Sequence, residues 1–189
     1  MEKQFKSDIA FTESVKAFQE QQGSRTAYEK MANTRDWTNK LNIVLQNFIA
    51  EIDSFYLATA NLEGQPYIQH RGGPKGFLNV LDESTLAFAD FSGNRQYISA
   101  GNLSDNPKVH LFLMDYPNRF RVKIWGEAYI STDLEVIEKL TDTNYKAKVE
   151  RAMIIKITAL DVNCPQHITP RYTKEEYKAV SEHFNKPMT

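Results

Sequence analysis

Three short stretches of this 189-residue chain place cations where an anion could be held. The first, "QHRGGPKG" from Gln69 to Gly76, sets two glycines and a proline between Arg71 and Lys75. Glycine lets a backbone approach a ligand closely, and paired cations make charge-assisted bonds to phosphate. The same residues also make an ordinary basic surface loop. The second, "ADFSGNRQYISAGN", runs from Ala89 to Asn102 behind an apolar run. Ser92 is placed to cap a helix, Gly93 and Asn94 permit an unusual turn, and Arg95 adds a planar fork suited to a phosphate monoester. The free N–H groups of the first helical turn would then point at the ligand. A self-capped helix with a solvated arginine reads equally well from these residues alone. In the third, "NRFRVKIWGEA", Phe120, Val122 and Ile124 alternate with Arg121, Lys123 and Trp125. One face reads as core. On the other, Lys123 reads as solvent-facing and Arg121 as able to reach a polar ligand outside the sheet.

Other chemistries find little to work with. His70, His110, His167 and His183 are scattered, with no His-x-x-x-His pair, and Cys164 is the single cysteine. That argues against a zinc site and rules out an internal disulfide. Cys164 lies next to Pro165 and three residues before His167, a spacing that implies no thiolate–base geometry. Nucleophile-elbow, Walker and Gly-x-Gly-x-x-Gly patterns are missing. Glu175 and Glu176 read as the acidic start of an exposed helix. With 23 Lys and Arg against 24 Asp and Glu, the net charge is −1, which disfavours a nucleic-acid partner. No apolar run is long enough to span a bilayer, and "MEKQFKSDIA" lacks the apolar centre of a signal peptide. The expectation is a cytoplasmic protein with no membrane, nucleic-acid or metal partner.

The elements that must position the three stretches follow from periodicity. "FTESVKAFQEQQGSRTAYEKM" predicts a helix capped by Thr12 and broken at Gly23, with Phe11 packed on its first turn and Val15 and Phe18 as its apolar stripe. Leu41, Val44, Leu45, Phe48 and Ile49 predict a second helix over 36–52. From Ser54 the period changes to two. Short β-rich runs separated by turn residues predict about seven strands, joined by tight turns and hence antiparallel. Within this β region, "NRQYISAGNLSDNP" and "DLEVIEKL" predict short helices. "TKEEYKAVSEHF" predicts a terminal helix over about 173–184, with Thr173 and Glu176 at capping-box spacing. In "TLAFADF" Leu86 and Phe88 share one face, and Ala87, Ala89 and Phe91 the other. A strand apolar on both faces suits a small barrel with helices or a partner subunit outside. The fold class is mainly β with flanking α, in one domain spanning 1–189.

The order "GQPY…HRGGPKGF…LAFADFSGNRQ…DNPKVHLFL…FRVKIWGEA" resembles the pyridoxamine 5′-phosphate oxidase-like, FMN-binding split-barrel superfamily. "QEQQGSRTAY" and "VNCPQHITPRY" are similar to its oxidase-related FMN-binding branch, so the resemblance runs from about Phe11 to Tyr172. It implies a six- or seven-stranded antiparallel split β-barrel that forms a homodimer with FMN at the subunit interface. It also implies which residues meet the cofactor. Gln69, Arg71 and Lys75 match a strand that contributes to FMN binding. Ala89 and Asp90 stand at an aromatic–Thr pair, and Ser92 precedes the phosphate grip. Asn94, Arg95 and Gln96 stand at a Ser-Arg-Lys phosphate grip, so the arginine is retained and the lysine becomes Gln96. A flavin-proximal glutamine falls on Arg121. The oxidases' C-terminal Trp and Arg-x-His segment is not evident, and Arg171 is the candidate replacement. The implied function is an FMN-dependent oxidoreductase working between a reduced nicotinamide or other small donor and an acceptor. The alternative is a flavin-binding or sensing protein without turnover, and the departures at the C-terminus disfavour a true pyridoxamine 5′-phosphate oxidase.

Overall fold

The period-two runs form β1 (Ser54–Ala60), β2 (Pro66–Gly72), β3 (Asn79–Asp82), β4 (Thr85–Phe91), β5 (Lys108–Asp115), β6 (Phe120–Ser131) and β7 (Val149–Val162). These assignments come from a computed structural model, which describes residues 4–162 and 165–184. Cys164 lies outside the described residues, as do the side chains of residues 182–184, that of His183 included. The seven strands pair antiparallel in one sheet of order β2-β1-β5-β6-β7-β4-β3. Tight connections set three of these pairings, β1 with β2, β3 with β4 and β5 with β6. Between β1 and β2, Gly64 takes a left-handed φ of 85°, and the Asn61 side chain accepts from the Gln65 N–H at 2.8 Å.

The sheet rolls up because its apolar face must leave water. Phe55 of β1 meets Phe88 of β4 edge to face at 5.4 Å, although β1 is second in the sheet order and β4 sixth. Leu57, Leu111, Ile124, Ile155 and Leu86 fill the space enclosed, all fully buried. This is the antiparallel split barrel with peripheral helices. β4 is covered on both faces, as its sequence implies. Leu86 and Phe88 join the main core. Ala87 and Ala89 lie in a second apolar layer with Leu140 of helix α5 (Leu134–Leu140), which packs on β4 and β7. Gly126 marks a bulge between β6 and β7. A Cβ there would come within 2.7 Å of the Lys156 carbonyl oxygen, so the strands approach too closely for any side chain.

The helices depart from the sequence reading in instructive ways. Helix α1 (Glu13–Gln21) is capped by Thr12, which accepts from the Val15 N–H. Gly23, at φ +73°, separates it from α2 (Arg25–Arg35). The Val15 and Phe18 stripe is not core: Phe18 is 63% exposed. Phe11 packs on Tyr28 and Trp37, with ring centroids 5.2 and 5.3 Å away, and Trp37 stacks on Trp125 at 4.9 Å. An aromatic ladder, not the α1 stripe, therefore fastens the N-terminal region to the sheet. The expected single helix over 36–52 does not form. The Asp36 carboxylate accepts the backbone N–H groups of Lys6 and Ser7, and Thr38 bridges to Leu160. These distant partners hold the segment extended, so α3 (Ile43–Glu51) begins only after Asn42, whose side chain caps Leu45 at 3.0 Å. Leu41, Leu45 and Ile49 are buried as expected, whereas Val44 faces out.

Three further helices complete the chain: α4 (Ile98–Asp105), α5 (Leu134–Leu140) and α6 (Lys174–Phe184). The capping box predicted before α6 is present, with the Thr173 N–H donating to Glu176 at 2.8 Å and the Glu176 N–H to Thr173 at 3.2 Å. No described helix is long and apolar enough to cross a membrane.

Candidate functional site

Alternation dictates that Arg71, opposite Phe55, and Asp90, two residues beyond Phe88, both turn toward the inside of the roll. There they meet. Arg71 Nη1 donates to Asp90 Oδ1 at 2.6 Å, joining the first strand of the sheet to the sixth. The Arg71 guanidinium also lies 5.5 Å from the centroid of the Phe88 ring. Arg151, opposite Asp90 on β7, approaches the same carboxylate from the other side, with Nε 3.5 Å from Oδ2. All three side chains are about four-fifths or more buried. Arg151 donates from Nη2 to Glu150. That bond is the main reason the Glu150 carboxyl sits below its ordinary range, with the Ser92 hydroxyl second.

The loop after β4 closes over this cluster. Arg95 and Tyr97 both take left-handed backbone conformations, with φ of 62° and 53°, a region non-glycine residues rarely enter. The Tyr97 ring lies 4.8 Å from the Arg151 guanidinium, and its hydroxyl is 3.5 Å from Arg95 Nε. The Ser92 N–H donates to the Lys148 carbonyl, and the Gln96 N–H to the Asn94 side chain. Here the sequence reading needs correcting. Ser92 does not cap a helix and Arg95 does not begin one. An irregular segment with a bend at Asn94 carries the chain to Tyr97, and α4 starts at Ile98 with no side-chain cap. Helix α4 is fixed from below: Ser99 donates to Gln69 of β2 and Asn102 to Thr59 of β1, each at 2.9 Å.

Gln69, Arg71, Asp90, Ser92, Asn94, Arg95 and Gln96 are thus brought to one end of the roll. Ala89 lines the cleft beside it, with His70, Arg71, Gly72, Phe77, Phe88 and Phe91; the cleft measures about 120 Å³. Lys75 stands apart, 69% exposed and 3.5 Å from Glu51 at the end of α3. Arg121 is elsewhere too. It neighbours Val122, which pairs with Val162, whereas Asp90 pairs with Arg151. Along β7 that separation is on the order of 35 Å. Arg121 faces Met114 on the outer surface, its Nε buried and without a partner. Arg171 lies over the Tyr116 ring at 4.8 Å. Lys123 is not simply solvated, since it reaches Asp161 at 3.4 Å. His110 is half-buried beside Trp125, ring centroids 4.7 Å apart.

Arg151 and Tyr97 escape the sequence reading. Arg151 precedes the apolar run by which β7 is recognised, so it reads as a solvated flank, and nothing local signals its pairing with Asp90. What the cluster offers chemically is a surplus of positive charge, Arg71, Arg95 and Arg151 against Asp90 and Glu150. Two buried donors, Arg71 Nε and Arg151 Nε, have no hydrogen-bond partner, and buried donors rarely stay so.

Residues 41–163 match the family model described as pyridoxamine 5′-phosphate oxidase. No curated protein matches the chain. Among solved structures, the Group A Streptococcus protein HupZ is similar at a TM-score of 0.54 and 18% identity, over 70% of this chain and 99% of its own. A Lactobacillus delbrueckii protein described as a candidate pyridoxamine 5′-phosphate oxidase is similar at a TM-score of 0.50 and 25% identity, over 66% of this chain and 95% of its own.

Asp90→Asn leaves two largely buried guanidiniums without their shared counter-charge, and should cost about 3 kcal/mol, read as a lower urea midpoint at unchanged slope. A second expectation concerns pH. Burial, with Lys123 adding to it, holds the His110 imidazole below its ordinary 6.5. Between that lowered value and 6.5 the unfolded chain binds the extra proton, so stability should fall as pH drops below 6.5. Urea midpoints taken from about pH 8 down to pH 5 should show this loss, and His110→Phe should remove part of the slope.

Proposed function

We propose that this chain, which belongs to the pyridoxamine 5′-phosphate oxidase family, is an FMN-binding flavoprotein that passes electrons from a reduced nicotinamide or other small donor to an acceptor. The observation that carries the reading is the arginine surplus at the end of the roll, with the buried Nε–H groups of Arg71 and Arg151 making no hydrogen bond beside a helix start that has no side-chain cap. Donors of this kind suit a phosphate. Arg95 would hold it, aided by the N–H groups of the first turn of α4. Asp90 keeps Arg71 and Arg151 fixed, and Ser99 and Asn102 keep α4 from shifting. Phe77, Phe88 and Phe91 exclude water from the neighbouring cleft. When bound, FMN would supply the redox chemistry, since no described side chain does so.

The cleft of one chain, about 120 Å³, is smaller than the roughly 300 Å³ at which small-molecule pockets begin. The wall that is missing would come from a second copy, in keeping with the homodimer that the sequence resemblance implies. Arg121 would contribute in the same way, because the distance along β7 separates it from the cluster of its own chain. In this reading residues 1–189 act as one cytoplasmic flavin-binding domain.

One observation favours a non-catalytic flavin-binding or sensing role. Glu150 is no ready proton donor, because its bond from Arg151 holds the carboxyl below its ordinary range. Anaerobic mixing with reduced nicotinamides separates the readings, because bleaching of a bound flavin band requires electron transfer. The flavin reading itself is tested by titrating the purified protein with FMN and following the visible spectrum. Saturable perturbation of the flavin band is expected, and Arg95→Ala should weaken binding by about 1.5–3 kcal/mol. A spectrum that stays that of free FMN, or an unchanged affinity in the variant, contradicts it.

A further inference from the structure

Relative to the phosphate grip that its sequence resembles, this chain lacks one cation, because Gln96 stands where a lysine is expected. The geometry points to Arg151 as the residue that supplies that charge, an inference that rests on the flavin-phosphate reading above. Three alternatives are removed by the contacts. Gln96 is neutral, exposed, and tied through its N–H to the Asn94 side chain. Lys75 is exposed and directed at Glu51. Arg71 is committed to Asp90 by a hydrogen-bonded ion pair at 2.6 Å and is only 14% exposed.

Arg151 is differently placed. It shares Asp90 only at the longer distance of 3.5 Å, where Arg71 makes a 2.6 Å hydrogen bond. Tyr97 lies against its guanidinium and leads directly into α4. A cation–π contact occupies the face of a guanidinium and leaves its in-plane N–H groups for an acceptor. The same Tyr97 hydroxyl is within 3.5 Å of Arg95 Nε, so one side chain links both arginines at the start of the helix. A phosphate held by Arg95 and the α4 N–H groups would therefore come next to the Arg151 guanidinium, which Tyr97 links to Arg95. Glu150 is the competitor, and a phosphate would share Arg151 with it.

The test compares FMN with riboflavin, which lacks the phosphate. Wild-type protein should bind FMN much more tightly than riboflavin. Arg151→Gln should weaken FMN by about 10- to 100-fold with riboflavin unchanged, and Arg151→Lys, which restores a point charge, should recover most of the preference. In unmutated protein, FMN but not riboflavin should shield Arg151 from phenylglyoxal, read by peptide mass spectrometry. This second measurement serves should Arg151→Gln fail to fold. An Arg151→Gln variant that keeps the wild-type preference for FMN, or shielding of Arg95 without Arg151, overturns the role of Arg151 and leaves the flavin reading standing. A wild-type protein with no preference for FMN over riboflavin overturns both.

Discussion

An arginine and an aspartate 2.6 Å apart hold the two ends of the rolled sheet together. Arg71 belongs to the first strand of the sheet and Asp90 to the sixth, and no backbone ladder joins those strands. Hydrophobic burial drives the roll, but burial is non-directional and would tolerate several degrees of closure. A charge pair set against the Phe88 ring, and largely shielded from water, is directional. It fixes how far the roll closes, and with it the position of every residue on the loop between β4 and α4.

That loop carries the site. Two departures into left-handed backbone, at Arg95 and Tyr97, are tolerated because Tyr97 finds Arg151 beneath it and α4 is fastened to Gln69 and Thr59. Strain of this kind concentrates at functional positions, where the surroundings over-determine the conformation. Here the same arginine pairs with Asp90, carries Tyr97 and engages Glu150. On the proposed reading, structural closure and anion recognition would be two uses of one charged cluster. The aspartate that organises it stands where the resemblance places an aromatic–Thr pair.

Much of the fold is legible in the sequence because it is written in local patterns. The two-faced β4, the turn around Gly64, the break at Gly23 and the Thr173–Glu176 box follow from periodicity or from residues within four positions of one another. What sequence reading misses depends on distant partners. Asp36 looks like the start of a helix until Lys6 and Ser7 donate to it. Ser92 looks like a cap until Arg95 and Tyr97 turn left-handed beyond it. Phe18 looks like core, yet Phe11, Trp37 and Trp125 do the fastening. The site divides the same way. Arg95 is visible in its motif, whereas Arg151 becomes visible only once β7 lies beside β4.

The central claim is that a phosphate monoester sits among these arginines. The phosphorus NMR signal of FMN in the presence of the protein tests it most directly. A free phosphate monoester loses its second proton near pH 6. The account predicts that bound FMN keeps a dianionic phosphate signal well below that pH, because Arg95 and its neighbours favour the charged form. A bound flavin whose phosphorus signal titrates like that of free FMN would contradict it.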